Sequence, residues 1–414
     1  MFGPDRCPKI KLSPEDRELY DKAARKFLQD TMSERAKFNA MNIESQHWAF
    51  VKRRKEVSVF SSVPGSTNKS TTIMVGTGLI DGRLEDVMEG LYCDRTDDLR
   101  TALVLTGYNV KDGSKLIVHE RCTPEDPFRC AGIKWFAGRC AWGLQHRRDV
   151  LIYERMGTTT DALGNELTYH TLQSIKRPEW PSESTPGMQR QHTASCYLYI
   201  LLCACTNKTE IFLWGSILKF GWAPEKAMQL GIASTWLNVV RSPRGGRAKK
   251  FSALMDEADS HQWMPFSTNC HGCYRRKPKL GSYALCSGCH QSVCEDCSEQ
   301  HYIFELGKSG KAKEQWFCAL CVKNVTGDIH LGPGLSSSGL GYYDASVCST
   351  VSMGMSSSGR SSRSDSFLSR TFSFKRPMDP FRPRVSPSGD KAPGELTSIG
   401  RSPGGTCVPR QRRA

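Results

Sequence analysis

The stretch NCHGCYRRKPKLGSYALCSGCHQSVCEDCSEQ at 269–300, followed by WFCALC at 316–321, decides the fold of the cysteine-rich region of this chain. It contains four Cys-x-x-Cys pairs: Cys270 and Cys273, Cys286 and Cys289, Cys294 and Cys297, and Cys318 and Cys321. Each pair forms a tight turn that directs two thiolates at one metal ion, and zinc binds four such ligands in a tetrahedron. The eight cysteines therefore predict two zinc ions.

The order of the pairs indicates how the ligands are shared. Cys289 and Cys294 are too close in sequence for the second and third pairs to bind one ion without strain. An interleaved arrangement is therefore expected, in which the first and third pairs hold one ion and the second and fourth pairs hold the other. His271, His290 and His301 lie nearby. They are not expected to be ligands, because eight cysteines already satisfy two tetrahedral ions.

With this spacing, residues 263–328 resemble the FYVE family, whose small cross-brace fingers bind phosphatidylinositol 3-phosphate. The resemblance implies the two-zinc scaffold without the family's lipid specificity. The family's basic stretch around the third ligand is replaced by YALCS at 283–287, and Trp263 is followed by Phe266 where the family has Asp. Trp316-Phe317 precedes Cys318 in place of Arg-Val. Candidate headgroup contacts remain in the loop after the second ligand: Arg275, Arg276, Lys277 and Lys279.

Upstream of the cysteines, residues 48–240 contain many strand-like runs separated by turn residues. The runs are 57–63, 71–80, 115–122, 132–142, 149–155, 166–175, 192–203 and 209–219. An N-terminal helix is predicted from Ser13, whose hydroxyl is placed to cap it, to about Met41. A second helix is predicted over Arg83–Tyr92, and a long final helix over Pro224–Val240. Because strands and helices do not alternate along the chain, the class is α+β.

Residues 13–240 are similar to the START family of lipid-binding domains. The similarity lies in the helical lead-in, the strand WAFVKRRKEVSVF at 48–60, the run of strands with Arg148-Asp149 heading one of them, and the long last helix. It implies a helix-grip fold, in which a curved antiparallel sheet wraps the last helix and one apolar lipid binds between them. Trp236, Leu237 and Val240 are predicted on the inner face of that helix, with Met228 and Ile232 one or two turns earlier.

Composition divides the rest of the chain. Residues 241–262 begin with SPRGGRAKK after Arg241 and read as a basic linker. Residues 332–414 are nearly half Gly, Ser and Pro, a composition that predicts a disordered tail. The net charge of +15 makes an anionic membrane surface a plausible partner. Nucleic acid is a weaker candidate, because the basic residues concentrate in the linker and the tail.

The sequence thus predicts a non-enzymatic, lipid-binding or membrane-associated adaptor with a zinc finger. The alternative is a RING-like ubiquitin ligase or a protein-interaction scaffold, because RING domains also use crossed zinc sites. No apolar run reaches the ~20 residues of a membrane span, and the N-terminus lacks the apolar segment of a secretory signal. A cytoplasmic location is expected, with peripheral attachment to endomembranes as an option. Catalytic motifs such as GxSxG, HExxH and GxxxxGK[ST] are absent from the sequence.

Overall fold

The computed structural model describes residues 7–38, 48–62, 71–139, 147–181, 188–201, 207–218, 224–260, 268–276 and 283–327. The predicted tail at 332–414, Trp263, Lys277 and Lys279 lie outside these residues. The described helices are α1 (Pro14–Lys37), α2 (Leu84–Leu91), α3 (Thr96–Leu105), α4 (Glu225–Trp236), α5 (Ser242–Ser260) and α6 (Ala319–Thr326).

The strands before the cysteines are β1 (Trp48–Arg54), β2 (Glu56–Ser62), β3 (Thr71–Asp81), β4 (Val110–Glu120), β5 (Cys130–Arg139), β6 (Arg147–Thr160), β7 (Glu166–Ser174), β8 (Met188–Arg190), β9 (Thr193–Leu201) and β10 (Lys208–Leu218). They form one sheet in the order β1-β2-β3-β10-β9-β7-β6-β5-β4, with the short β8 beside β6. All pairings in this order are antiparallel. This is the predicted α+β architecture of a curved antiparallel sheet with a helix on its inner face.

Sequence pattern and structure differ at the first strand. Residues 48–60 are not one strand but a hairpin of β1 and β2, which reverses at Lys55 with a φ of 51°. Helix α3 was also not expected, because its threonine- and aspartate-rich start resembles a loop. Buried Leu99, Leu103 and Leu105 hold this helix against the protein. In both places tertiary packing overrides a weak local signal.

Both faces of the sheet are covered, which explains why its central strands read as continuous apolar runs. On β9, Tyr197 and Tyr199 point to the inner core, whereas Cys196 and Leu198 point to the outer one. Helix α1 covers the outer face with the side of the helix that carries Ala24 and Leu28, and Leu19 stays in solvent. Ser13 caps α1 as predicted, because its hydroxyl accepts a hydrogen bond from the Asp16 amide at 3.1 Å.

Helix α4 lies on the inner face of the sheet. Met228, Ile232 and Trp236 pack there with strand residues, and Leu237 and Val240 follow in a short 3-10 turn at Leu237–Arg241. The ring of Trp236 packs directly on Gly215 of β10, where a Cβ atom would come within 2.8 Å of it. The predicted inner face of the final helix is therefore buried as expected.

The segment expected to be a basic linker is helical over most of its length. Helix α5 follows the 3-10 turn directly and crosses α2, where glycines let the two backbones approach. A Cβ atom on Gly246 would lie 2.2 Å from the Asp86 carbonyl oxygen. The buried Asp86 carboxylate binds Arg247 at 3.2 Å and Lys250 at 2.6 Å. The Gly-Gly pair, which suggests a break when read locally, is thus the packing contact of a helix crossing.

We expect Gly246→Ala to destabilise this crossing by ~1–3 kcal/mol, the usual cost of inserting atoms into a well-packed contact. Chemical denaturation followed by circular dichroism would measure the change. Gly307→Ala is the matched control, because its new Cβ atom would meet nothing nearer than 3.6 Å. Equal stability of the two variants would contradict the crossing.

The cysteine-rich region forms a small unit on the second half of α5. It contains the strand pairs β11 (Ala284–Leu285) with β12 (Ser292–Val293) and β13 (Ser298–Leu306) with β14 (Ala312–Cys318), followed by α6. Phe251 of α5 lies at its centre, with ring centroids 4.4 Å from Phe317 and 4.6 Å from His301. Helix α5 therefore packs against α2 of the sheet domain with its first half and contributes Phe251 to the core of the finger with its second half.

Candidate functional site

The structure brings the eight predicted cysteines together in two groups of four. One group is Cys270, Cys273, Cys294 and Cys297, and the other is Cys286, Cys289, Cys318 and Cys321. Within each group the sulfur atoms lie within 4.8 Å of one another, so each group could hold a metal ion. The first pair joins the third and the second joins the fourth, which is the interleaved order that the spacing predicts.

The sulfur geometry fits a tetrahedral thiolate site. Zinc–sulfur bonds of ~2.3 Å give sulfur–sulfur edges of about 3.8 Å in a tetrahedron. The Cys273 and Cys294 sulfurs are 3.7 Å apart, and those of Cys289 and Cys318 are 3.8 Å apart. The distances alone therefore leave room for one ion at the centre of each group.

Backbone amides point at the sulfur atoms, as expected for thiolates. The amides of Gly272 and Cys294 each donate to the Cys270 sulfur at 3.3 Å. Burial alone would raise the pKa of Cys270, but these donors and the Cys273 amide lower it to about 6. In the second group, the Cys318 amide donates to the Cys286 sulfur at 3.1 Å. In each group one sulfur, that of Cys270 or that of Cys286, thus accepts amide hydrogen bonds that favour its thiolate form, the form that binds metal.

The three nearby histidines stand outside both groups. His290 faces the Asp259 carboxylate at 3.1 Å, and His301 stacks on Phe251. Of the candidate headgroup residues, Arg275 faces Asp296 at 3.2 Å in an exposed pair. Arg276 forms a backbone bridge with Asn269. A role for this loop in headgroup binding stays a prediction.

A cavity of about 280 Å³ lies between the inner face of the sheet and α4. Its apolar wall comes from strands β4 to β9 and from the helix: Val110, Phe136, Ile152, Tyr197, Met228 and Trp236. Polar side chains also line the cavity, among them Tyr108, Arg148 and Asn238. The volume is at the lower edge of the ~300–1,000 Å³ typical of ligand pockets.

A buried charge cluster on the inner face of the sheet occupies part of the interior. The Glu154 carboxylate on β6 accepts hydrogen bonds from Lys115 Nζ at 2.5 Å and from Lys134 Nζ. It also forms a hydrogen bond with His170 Nε2 at 2.7 Å. Burial would raise the pKa of Glu154, but the two ammonium groups hold it well below its usual value. The cluster was not predicted, because its four members come from four different strands and show no common spacing.

We expect acid to destabilise the sheet domain partly through His170. Burial lowers the pKa of His170 despite its hydrogen bond with Glu154. Below the unfolded-state pKa of ~6.5, the unfolded chain therefore binds a proton at this residue while the folded chain does not. The free energy of unfolding then falls with pH by at most ~1.4 kcal/mol per pH unit. Denaturation measured between pH 8 and pH 5 should show that the free energy of unfolding falls less steeply with pH in His170→Gln than in the wild type. Parallel profiles would contradict this assignment.

No described helix combines the length and the apolar character that crossing a bilayer requires.

Comparison with known proteins gives structural similarity only. No protein-family model matches the sequence, and no curated protein matches it. Human STARD10 is 16% identical, with 52% of this chain and 78% of that chain covered at a TM-score of 0.36. Human StAR-related lipid transfer protein 5 is 13% identical, with 55% of this chain and 98% of that chain covered at a TM-score of 0.37. The lipid transfer and protein localization domain of human StarD13 is 14% identical, with 57% of this chain and 98% of that chain covered at a TM-score of 0.35.

Proposed function

We propose that this chain is a non-enzymatic lipid-binding protein, with a START-like sheet domain that holds one apolar chain and a FYVE-like finger that holds two zinc ions. The observation that carries the lipid proposal is the cavity between the sheet and α4. Its walls are largely apolar and carry a smaller number of polar groups. A mostly apolar wall with a few polar groups suits a ligand that is mostly apolar and has a polar part, which is the chemistry of a lipid.

The zinc proposal is supported by the donor set. All eight candidate ligands are thiolates, which favours zinc over the harder divalent ions that prefer oxygen. Closed sites with four protein ligands are structural, because no position is left for substrate or water. The ions would therefore hold the finger folded rather than react. In this proposal the finger serves as an adaptor for membranes or for other proteins.

A cavity-filling variant tests the lipid proposal. Ala227 lines the cavity from α4, whereas its neighbour Lys226 is exposed and points away. Ala227→Trp should reduce uptake of a fluorescent fatty-acyl lipid at least tenfold, because the indole would occupy much of the 280 Å³. Lys226→Trp adds the same side chain outside the cavity and should leave uptake unchanged. Both variants must first show wild-type circular dichroism.

Uptake that is absent in the wild type would refute the proposal and indicate a fold used for protein contacts. Equal uptake by Ala227→Trp and the wild type would place the lipid elsewhere. Native mass spectrometry of the purified chain adds an independent measurement, because it reports a retained lipid and the number of metal ions together.

A further inference from the structure

A second, larger concavity lies where the sheet domain meets the finger. It measures about 600 Å³ and has three walls: the β1–β2 turn, the 3-10 turn with the start of α5, and strand β13 of the finger. Five cationic side chains line this basic cleft: Arg54, Lys55, Arg241, Arg244 and Arg247. Asp81 is the one carboxylate that lines it among the described residues.

Carboxylates nearby face only two of these five cations. Lys55 reaches Asp81 only at 3.8 Å, in a pair that is mostly exposed, and Arg247 is bound to Asp86. No carboxylate of the described residues pairs with the other three guanidinium groups. These belong to Arg54, Arg241 and Arg244.

Each of these three arginines is nevertheless held in place. Arg54 donates to the Asn238 amide oxygen at 2.5 Å, and the guanidinium of Arg244 lies 5.1 Å from the centre of the Tyr302 ring. Arg241 passes over Gly107, where a Cβ atom would come within 1.9 Å of its Nη1. Burial, followed by the charge of Arg241, lowers the pKa of Arg54. Like charges are thus fixed close together, and a bound anion would relieve their repulsion.

The geometry points to a binding site for a polyphosphorylated polyol in the basic cleft, free in solution or as the headgroup of a lipid. Guanidinium groups match phosphate oxygens with two parallel hydrogen bonds, and several of them around one concavity suit several phosphates. The cationic groups converge on one open concavity of about 600 Å³, a size that fits a small polyanion better than an extended one. Gln300 and Tyr302 add neutral polar groups from the finger side.

The position of the cleft relates it to the cavity. Arg54 and Arg241 line both concavities, so they stand at the boundary between them. A lipid could therefore place its phosphates in the cleft and its chain in the cavity. Binding of the free polyol does not depend on the cavity, so this inference stands apart from the proposed uptake of an apolar chain.

Calorimetric titration of the full chain with inositol 1,4,5-trisphosphate tests the cleft. Arg244→Gln and Arg241→Gln should each weaken binding about tenfold, because each removes one charge-assisted contact. Lys22→Gln removes the same charge from the exposed side of α1 and should have no effect. Arg276→Gln removes one charge from the finger loop that the sequence predicted to bind a headgroup, and it should also have no effect. No saturable binding, or an equal loss in Lys22→Gln or Arg276→Gln, would overturn the assignment.

A second arm distinguishes the two sources of the phosphates. Phosphatidylcholine vesicles with a bisphosphorylated phosphoinositide are compared with phosphatidylcholine vesicles in which phosphatidylserine supplies the same total charge. Binding of the free trisphosphate together with preferential binding of the phosphoinositide assigns a lipid headgroup, and binding of the trisphosphate alone assigns a soluble polyol. Arg244→Gln should keep its uptake of an uncharged fluorescent lipid, because Arg244 does not line the cavity. The two measurements therefore distinguish a failure of the cleft proposal from a failure of the proposed lipid uptake in the cavity.

Discussion

Cys286→Ser is expected to release one metal ion and unfold the finger while the sheet domain stays folded. Cys286 is fully buried, and its sulfur accepts a hydrogen bond from the Cys318 amide at 3.1 Å. Its loss leaves three thiolates, too few for a closed tetrahedral site. Structural zinc provides an apparent ~10–16 kcal/mol in small fingers, whereas the buried apolar residues of this finger are few. Without the ion, the finger has little else to hold it folded.

Elemental analysis and amide hydrogen exchange would measure this result. The metal content should fall from two ions per chain to one, and protection should disappear from 283–306 and 312–327. Protection should persist in the sheet strands and in the first half of α5, which α2 holds. Cys122→Ser is the control, because Cys122 is exposed and belongs to neither group. Two ions retained in Cys286→Ser, or a finger that stays protected, would refute the metal assignment.

Trp236→Ala is expected to destabilise the sheet domain by ~3–5 kcal/mol, the usual cost of truncating a buried tryptophan. Trp236 is 4% exposed and fills the space above Gly215, where β10 has no side chain of its own. The alanine would leave this space empty beside a cavity that already exists. Such a loss is a large share of the ~5–15 kcal/mol that stabilises a typical domain.

Equilibrium denaturation monitored by circular dichroism would give the free energy of unfolding. Lys226→Ala on the exposed side of the same helix should change it by no more than ~0.5 kcal/mol. A loss below about 1 kcal/mol in Trp236→Ala would mean that the helix does not support the sheet through this contact.

The candidate metal site could be predicted from the sequence almost completely. Cys-x-x-Cys turns are local, and the ion requires four thiolates in a tetrahedron, so spacing alone constrains the partners. Most strands of the sheet were predicted to within a few residues for a related reason. Strands such as β9 and β10 are buried on both faces, and their long apolar runs are visible without knowledge of their neighbours.

Features that depend on distant partners could not be read in this way. The Gly245–Gly246 pair suggests a break, yet it lies within α5 because α2 approaches there closely enough to exclude any side chain. The charges of Arg247 and Lys250 suggest a solvated linker, yet both bind the buried Asp86. These contacts join segments more than 150 residues apart.

The division between the two kinds of information follows from the range of the forces involved. Helix caps, metal-binding turns and apolar runs act within a few residues, so the sequence by itself determined the eight cysteine positions, the α+β class and the inner face of α4. Only the tertiary structure decided that Arg54, Arg241 and Arg244 line one cleft, that Glu154 meets two lysines and a histidine, and that one helix packs on both the sheet domain and the finger. Those arrangements arise when packing brings separate strands and helices together, because burial and charge pairing act between surfaces rather than along the chain.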